Sequence, residues 1–191
     1  MFTKEIQQAL IDKRIDIAVH SMKDVETDLP EELVISTILK REDVRDSFIS
    51  RRYSSIADLP LGSVVGTSSL RRKAQLLNKR KDLKVVEFRG NVQKRLEKLD
   101  NNVAVATFLA TAGLNRLGLD ELINPISTDE MLPAVAQGAV GIEHLRSEKM
   151  EEFLAPLNDS VSKKRVDAER AFLRELDLSL IHISEPTRPI H

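Results

Sequence analysis

No cysteine occurs among the 191 residues, which excludes disulfides and thiolate-held metals and suits a reducing compartment. Tryptophan is also absent, and one tyrosine and six phenylalanines make up the whole aromatic complement. Stacking platforms for single-stranded nucleic acid are therefore few, and RNA binding through basic helices is a weak reading. Long apolar runs are lacking as well. The stretch around Val103 to Leu114 is interrupted by Thr and Gly and is too short to span a bilayer, and the N-terminus has no charged-then-apolar leader pattern. Neither sign of charge dominates: 29 Lys and Arg stand against 30 Asp and Glu, a net charge of -1. A basic site must therefore be local. These absences predict a cytoplasmic protein with no membrane or nucleic-acid partner.

The chain is long enough for one large domain or two small ones. In "MFTKEIQQALIDKR", Phe2, Ile6 and Leu10 recur four apart, one face of a helix, and "IDIAVH" predicts a short buried strand. Ser21-Met22-Lys23-Asp24 thus falls just past a strand's carboxyl end. "ELVISTIL" and "SFIS" predict further strands, with the charged "KREDVRD" between them as a connection between two lobes. From Ser63 the strands "SVVG", "KVVEF" and "VAVATFL" alternate with the helices "SLRRKAQLLNKR", "NVQKRLEKLD" and "AGLNRLGL". Such alternation predicts a parallel sheet covered by helices, an α/β fold. "MLPAVAQGAVGIEH" offers another strand, "SEKMEEFLAPL" a helix and "SKKRVDAERAFLREL" an amphipathic helix. The tail "LSLIHISEPTRPIH", residues 178–191, has no helical or strand period and two prolines, and is expected to be non-native read-through.

A helix start needs one capping hydroxyl, yet Gly66-Thr67-Ser68-Ser69 offers three and runs into Arg71 and Arg72. Arg89 ends the next strand, Arg95 lies on the following helix beyond Gly90 and Asn91, and Arg116 follows the third strand. Ligands of open α/β sheets bind at strand carboxyl ends, where helix N-termini present free N–H groups. Arginine suits bidentate carboxylate or phosphate recognition, so five at successive junctions point to a ligand with several anionic groups. Taken singly, each arginine equally fits a solvated helix face, and Gly66 and Gly90 fit ordinary turns. A phosphate loop is excluded, because "GTSSLRR" lacks the glycine spacing and the Gly-Lys-Ser/Thr ending. Lys23-Asp24 reads either as a general acid or base at a strand end or as a surface turn. The run from Gln137 through Gly138 to Gly141 reads as backbone approaching a ligand or as a crossing between lobes. His20 ends an apolar strand and reads as a core histidine. With His144, His182 and His191 scattered, no metal site is expected.

Taken in order, "VHSMKD", "VVGTSSLRRKAQL", "FRGNVQKRLEKLD", "ATAGLNRLGL", "LPAVAQGAVGIE" and "AERAFLREL" resemble the porphobilinogen deaminase (hydroxymethylbilane synthase) family, from Phe2 to Asp177. The resemblance implies two periplasmic-binding-protein-like lobes around a cleft and a smaller third domain. By the same likeness four porphobilinogen units are joined head to tail, with loss of ammonia, on a dipyrromethane primer attached to a cysteine. Each pyrrole carries an acetate and a propionate. Thr67, Ser68, Ser69, Arg71, Arg72, Arg89 and Gly90, with Lys23 and Asp24, match cofactor-binding positions. Arg89, Arg95, Arg116, Gln137 and Gly138 match substrate-binding ones. Asp24 matches the catalytic aspartate, which assists ammonia loss and stabilises the cationic methylene-pyrrole.

Departures from the pattern carry their own expectations. Leu180 stands where the family has its cofactor-bearing cysteine, and Ala136 stands where glycine usually precedes Gln-Gly. "NNVAVAT" lacks an acidic residue usual before the third strand. The expected layout is residues 1–40 and 138–158 in part of lobe 1, 41–137 in lobe 2, and 159–177 opening the third domain. That is a fragment truncated at both ends, without turnover of its own; the family precedent is a monomer. A rival reading is a non-catalytic periplasmic-binding-protein-like module for a polycarboxylate.

Overall fold

A computed structural model describes residues 2–176; the expectations for the tail and for Leu180 lie outside that range. The first half of the chain contains α1 (Phe2–Ile11), β1 (Ala18–Ser21), β2 (Leu33–Ile38), β3 (Asp46–Ser50), β4 (Val64–Gly66), α2 (Leu70–Lys79) and β5 (Lys84–Val86). The rest comprises α3 (Val92–Asp100), β6 (Ala106–Ala110), α4 (Thr111–Leu117), β7 (Val140–Leu145), α5 (Glu148–Leu154) and α6 (Ser160–Glu175). Contacts divide these residues into two compact units, one of residues 2–42 and 135–176 and the other Asp43–Ala134. Among the described residues no helix is long and apolar enough to cross a membrane.

The first unit holds a three-stranded sheet in the order β1-β7-β2, antiparallel at both pairings. α1 buries Leu10 against Ala18 and Leu33. The helix expected to open a third domain, α6, packs within this unit. Its Val166 is fully buried in a cluster with Met22, Val25, Ile38, Ala136 and Ala139, and its Glu169 takes two hydrogen bonds from Arg41.

The second unit has a four-stranded sheet in the order β3-β6-β4-β5. β4, β5 and β6 are parallel, as the alternation of elements requires. β3 runs antiparallel to β6, with Asp46 opposite Ala110, so the sheet is mixed rather than wholly parallel. The reason lies in connectivity: β3 precedes the alternating run and reaches the sheet without a crossover helix. Side chains alternate across a strand. Phe48 and Phe108 therefore join one cluster with Val65 and Leu76, their rings meeting edge to face at 6.1 Å. Ile49 and Leu109 join another with Phe88, Leu96, Leu99 and Leu114. With both faces buried, the strands end in loops whose backbone is held close to the core.

Candidate anion-binding site

The turn after β4 is shaped by its glycine. A Cβ on Gly66 would come within 2.8 Å of Phe88 Cε2 and closer still to Cγ and Cδ2, so only glycine lets the chain pass this ring. Thr67 N–H continues the ladder to Val86 O at 3.0 Å. Thr67 Oγ1 accepts from Ser69 N–H at 3.2 Å, Ser68 Oγ from Phe88 N–H at 2.9 Å, and Ser69 Oγ caps α2 by accepting from Arg72 N–H at 3.4 Å. The sequence suggests that two of these hydroxyls are surplus to a helix start, whereas the structure gives all three a backbone partner. Each is used only as an acceptor in these bonds. A hydroxyl that accepts still has its own proton to donate, so the turn can serve the fold and an anion together.

Arg71 and Arg72 open α2 and converge on one carboxylate that sequence reading missed. Arg71 donates to Asp46 Oδ2 at 2.7 Å and Arg72 to Asp46 Oδ1 at 2.8 Å. Arg72 also donates to Phe108 O at 2.9 Å. Asp46 is fully buried, Arg72 buried and Arg71 partly so. Burial pushes the Asp46 carboxyl up, but the charges and hydrogen bonds of Arg72 and Arg71 outweigh it, leaving its pKa below the usual carboxylate range. Burial likewise lowers Arg71, against the opposing pull of Asp46. The buried Nε of Arg72 has no hydrogen-bond partner among the described residues.

The remaining arginines follow the other two parallel strands, β5 and β6. Arg89 follows β5, is mostly exposed, and donates to Glu87 at 2.6 Å. Gly90 adopts φ +126°, a backbone only glycine takes readily. Asn91 caps α3 by accepting from Lys94 N–H at 2.9 Å. Arg95 donates to Gly90 O at 2.8 Å; burial first, and then repulsion from Arg72, lower its pKa. Arg116 lies exposed near the end of α4. The second unit therefore carries Thr67, Ser68, Ser69, Arg71 and Arg72 after β4, Arg89, Gly90 and Arg95 after β5, and Arg116 in the last turn of the helix after β6; the N-termini of α2 and α3 add positive partial charge at the first two strand ends.

The other candidate residues belong to the first unit. Lys23 and Asp24 form a 3-10 turn, Met22–Asp24, straight after β1, with Lys23 half-buried and Asp24 exposed. The turn is held from three sides. Met22 N–H donates to Ala139 O at 3.0 Å, Met22 Sδ fills the space a side chain at Gly141 would take, and Arg170 of α6 donates to Val25 O at 3.1 Å and Thr27 O at 3.2 Å. Gln137 and Gly138 are buried, and their carbonyls accept from Arg41 Nε at 2.9 Å and Glu42 N–H at 3.1 Å. His20 is a buried residue, as its place in an apolar strand suggests, bonded at 2.8 Å to fully buried Glu143. Glu143 also accepts from Gln7 at 2.9 Å. A charged residue inside the apolar "VGIEHL" was the available signal, since a buried carboxylate demands partners.

The fold defines a class first. The chain superposes on a methionine-binding lipoprotein of Bacillus subtilis with a TM-score of 0.53 at 17% identity, covering 93% of this chain and 83% of that one. A periplasmic substrate-binding protein of Coxiella burnetii gives 0.51 at 12% identity, covering 87% and 80%. Both mark the two-lobed α/β fold of substrate-binding proteins. Residues 1–152 match the family model for porphobilinogen deaminase, dipyromethane cofactor binding domain, and the chain belongs to that family. It is 57% identical over 179 residues to porphobilinogen deaminase of Paracoccus denitrificans, covering 93% of this chain and 57% of the relative. Against the chloroplastic porphobilinogen deaminase of Pisum sativum identity is 56% over 180 residues, with 93% and 49% covered. The chain thus spans about half the length of the curated relatives it matches.

Proposed function

We propose that this chain supplies the pyrrole-carboxylate-binding and aspartate-bearing part of a hydroxymethylbilane synthase, which joins four porphobilinogen units head to tail with loss of ammonia, in the cytoplasm. The observation that carries this reading is the arginine and hydroxyl set following β4 and β5, with Arg116 on the helix after β6, in a member of the porphobilinogen deaminase family. A growing pyrrole chain is a polycarboxylate. Guanidiniums and preset hydroxyls are the groups that hold carboxylates in fixed orientation. Asp24 is the residue to which we assign chemistry: beside a unit that loses ammonia, a fixed carboxylate stabilises the cationic methylene-pyrrole as the C–N bond breaks.

The family domain is described by its dipyrromethane cofactor, and the residues fit that group in part. The partnerless buried Nε of Arg72 and the donor hydroxyls of Thr67, Ser68 and Ser69 suit its carboxylates. The chain contains no cysteine, so no thioether to it can form. When bound, the group supplies the primer end to which pyrroles are added; noncovalent contacts alone are assigned to the residues here.

Titration calorimetry with a synthetic dipyrromethane bearing acetate and propionate side chains tests the reading. Saturable binding is expected. It should weaken with added salt and fall by about tenfold in Arg95→Ala, the scale of one charged hydrogen bond. No binding by the unaltered protein refutes the proposal. Incubation with porphobilinogen should release no ammonia above a boiled control, since the primer has no sulfur to hold it.

A further inference from the structure

We infer that Asp46 is a positioning residue of the anion-binding site, holding Arg71 and Arg72 in place before any ligand arrives. The inference rests on the binding reading above and adds to it a buried acidic group beneath two of its arginines. The Asp46 carboxylate uses one oxygen for each guanidinium, at 2.7 and 2.8 Å. Each arginine has a second anchor in a main-chain carbonyl, Leu132 O for Arg71 and Phe108 O for Arg72. A guanidinium fixed at two of its nitrogens cannot swing, so the entropy of ordering it is already spent when a carboxylate binds. Asp46 can do this because β3 enters the sheet antiparallel, which sets the first residue of that strand opposite Ala110 at the carboxyl end of β6.

Two physical effects of Asp46 have opposite signs, which makes the inference decidable. As a negative charge, it opposes an incoming anion, so Asp46→Asn should tighten binding if electrostatics alone governs. As an anchor, it presets the arginines, so the same substitution should weaken binding. The positioning role requires the second outcome. In Asp46→Asn the affinity for the dipyrromethane tetracarboxylate should fall by about tenfold or more, the scale of a charge-assisted hydrogen bond, although the site has gained a unit of positive charge. Asp46→Glu keeps the charge but moves it by one methylene, and should also bind more weakly than the unaltered protein. Equal or tighter binding by Asp46→Asn overturns the inference.

Should Asp46→Asn fail to fold, nitrogen-15 NMR of the unaltered, ligand-free protein decides. Anchored guanidiniums give resolved Nη signals for Arg71 and Arg72 because rotation about Nε–Cζ is slow. Averaged signals, as for an exposed arginine, overturn the inference. Absence of dipyrromethane binding by the unaltered protein would instead refute the proposed function, and the NMR result would still show whether Arg71 and Arg72 are held in place without a ligand.

Discussion

Replacing Gly66 by alanine tests whether the candidate site and the core share one packing constraint. The new methyl would lie 2.8 Å from Phe88 Cε2 and nearer to two other ring carbons. Unbonded carbons settle at about 3.5–4.0 Å, so the ring must retreat by roughly 1 Å. Phe88 is fully buried among Leu96, Leu99, Leu109 and Leu114, and close-packed interiors yield little. Overpacking of this kind costs about 1–3 kcal/mol, and a rigid ring in a closed cluster argues for the upper half of that range. The protein carries its own reporter. Tyr53 is the one tyrosine in a chain without tryptophan, and it packs on the second unit's other cluster. In urea, with a slope of about 2 kcal/mol per molar, Tyr53 fluorescence should show a midpoint lower by roughly 1 M. Adding Phe88→Leu should restore part of the loss. Because Ser68 Oγ accepts from Phe88 N–H, dipyrromethane binding should weaken together with stability. A midpoint within about 0.2 M of the parent would refute the reasoning, since that is well below the cost of any real overlap.

Three other outcomes follow from the same geometry. The Asp46 carboxyl is held below its ordinary 3.8 by Arg72 and Arg71 despite burial, so its contribution to stability is full above the unfolded pKa and is lost as pH falls through the lower folded value. The gap in urea midpoint between the parent and Asp46→Asn should therefore be widest at neutral pH and narrow on acidification below pH 4 or so; a pH-independent gap contradicts the assignment. Glu143→Leu strands two buried partners, Gln7 and His20, and should cost about 2–4 kcal/mol, with faster hydrogen exchange in β1 and β7, whereas Glu143→Gln, which keeps an acceptor, should cost less. Arg170→Ala removes the donor to Val25 O and one of two donors to Thr27 O, the other being Arg174, and should speed amide exchange in the segment after Asp24 more than in α1, with guanidinium ion restoring protection.

The elements were legible because each signal was local. Apolar spacing of four marks α1, alternation in "SFIS" places Phe48 and Ile49 in separate clusters, and the strand–helix rhythm from Ser63 predicts three parallel strands. What could not be read was pairing across distance. "KREDVRD" reads as a charged connection between two lobes, yet its final Asp46 is fully buried beneath two arginines 25 and 26 residues away. No composition rule separates such an aspartate from an exposed one, because its burial depends on the direction in which β3 enters the sheet. The arginines were visible for the opposite reason, since three successive strand-to-helix junctions, β4 to α2, β5 to α3 and β6 to α4, repeat one arrangement.

The hydroxyls show where the one-cap premise is incomplete. Sequence reasoning reserves two of Thr67, Ser68 and Ser69 for a ligand because one cap suffices. In the fold, Ser68 ties the turn after β4 to the main chain beyond β5, and Thr67 sets Ser69 in position to cap α2. These bonds orient the hydroxyls without using their protons. Fold and ligand therefore do not compete for these side chains. The backbone fixes where each oxygen sits, so an anion bound at the N-terminus of α2, as proposed, would meet donors whose positions were set during folding. The arginines follow the same logic through Asp46, whose acceptor oxygens orient guanidinium groups as the backbone amides orient the hydroxyls. An anion site assembled in this way has its geometry determined by the core beneath it, and for that reason the substitution most damaging to it should be Gly66→Ala, a change that removes no polar group at all.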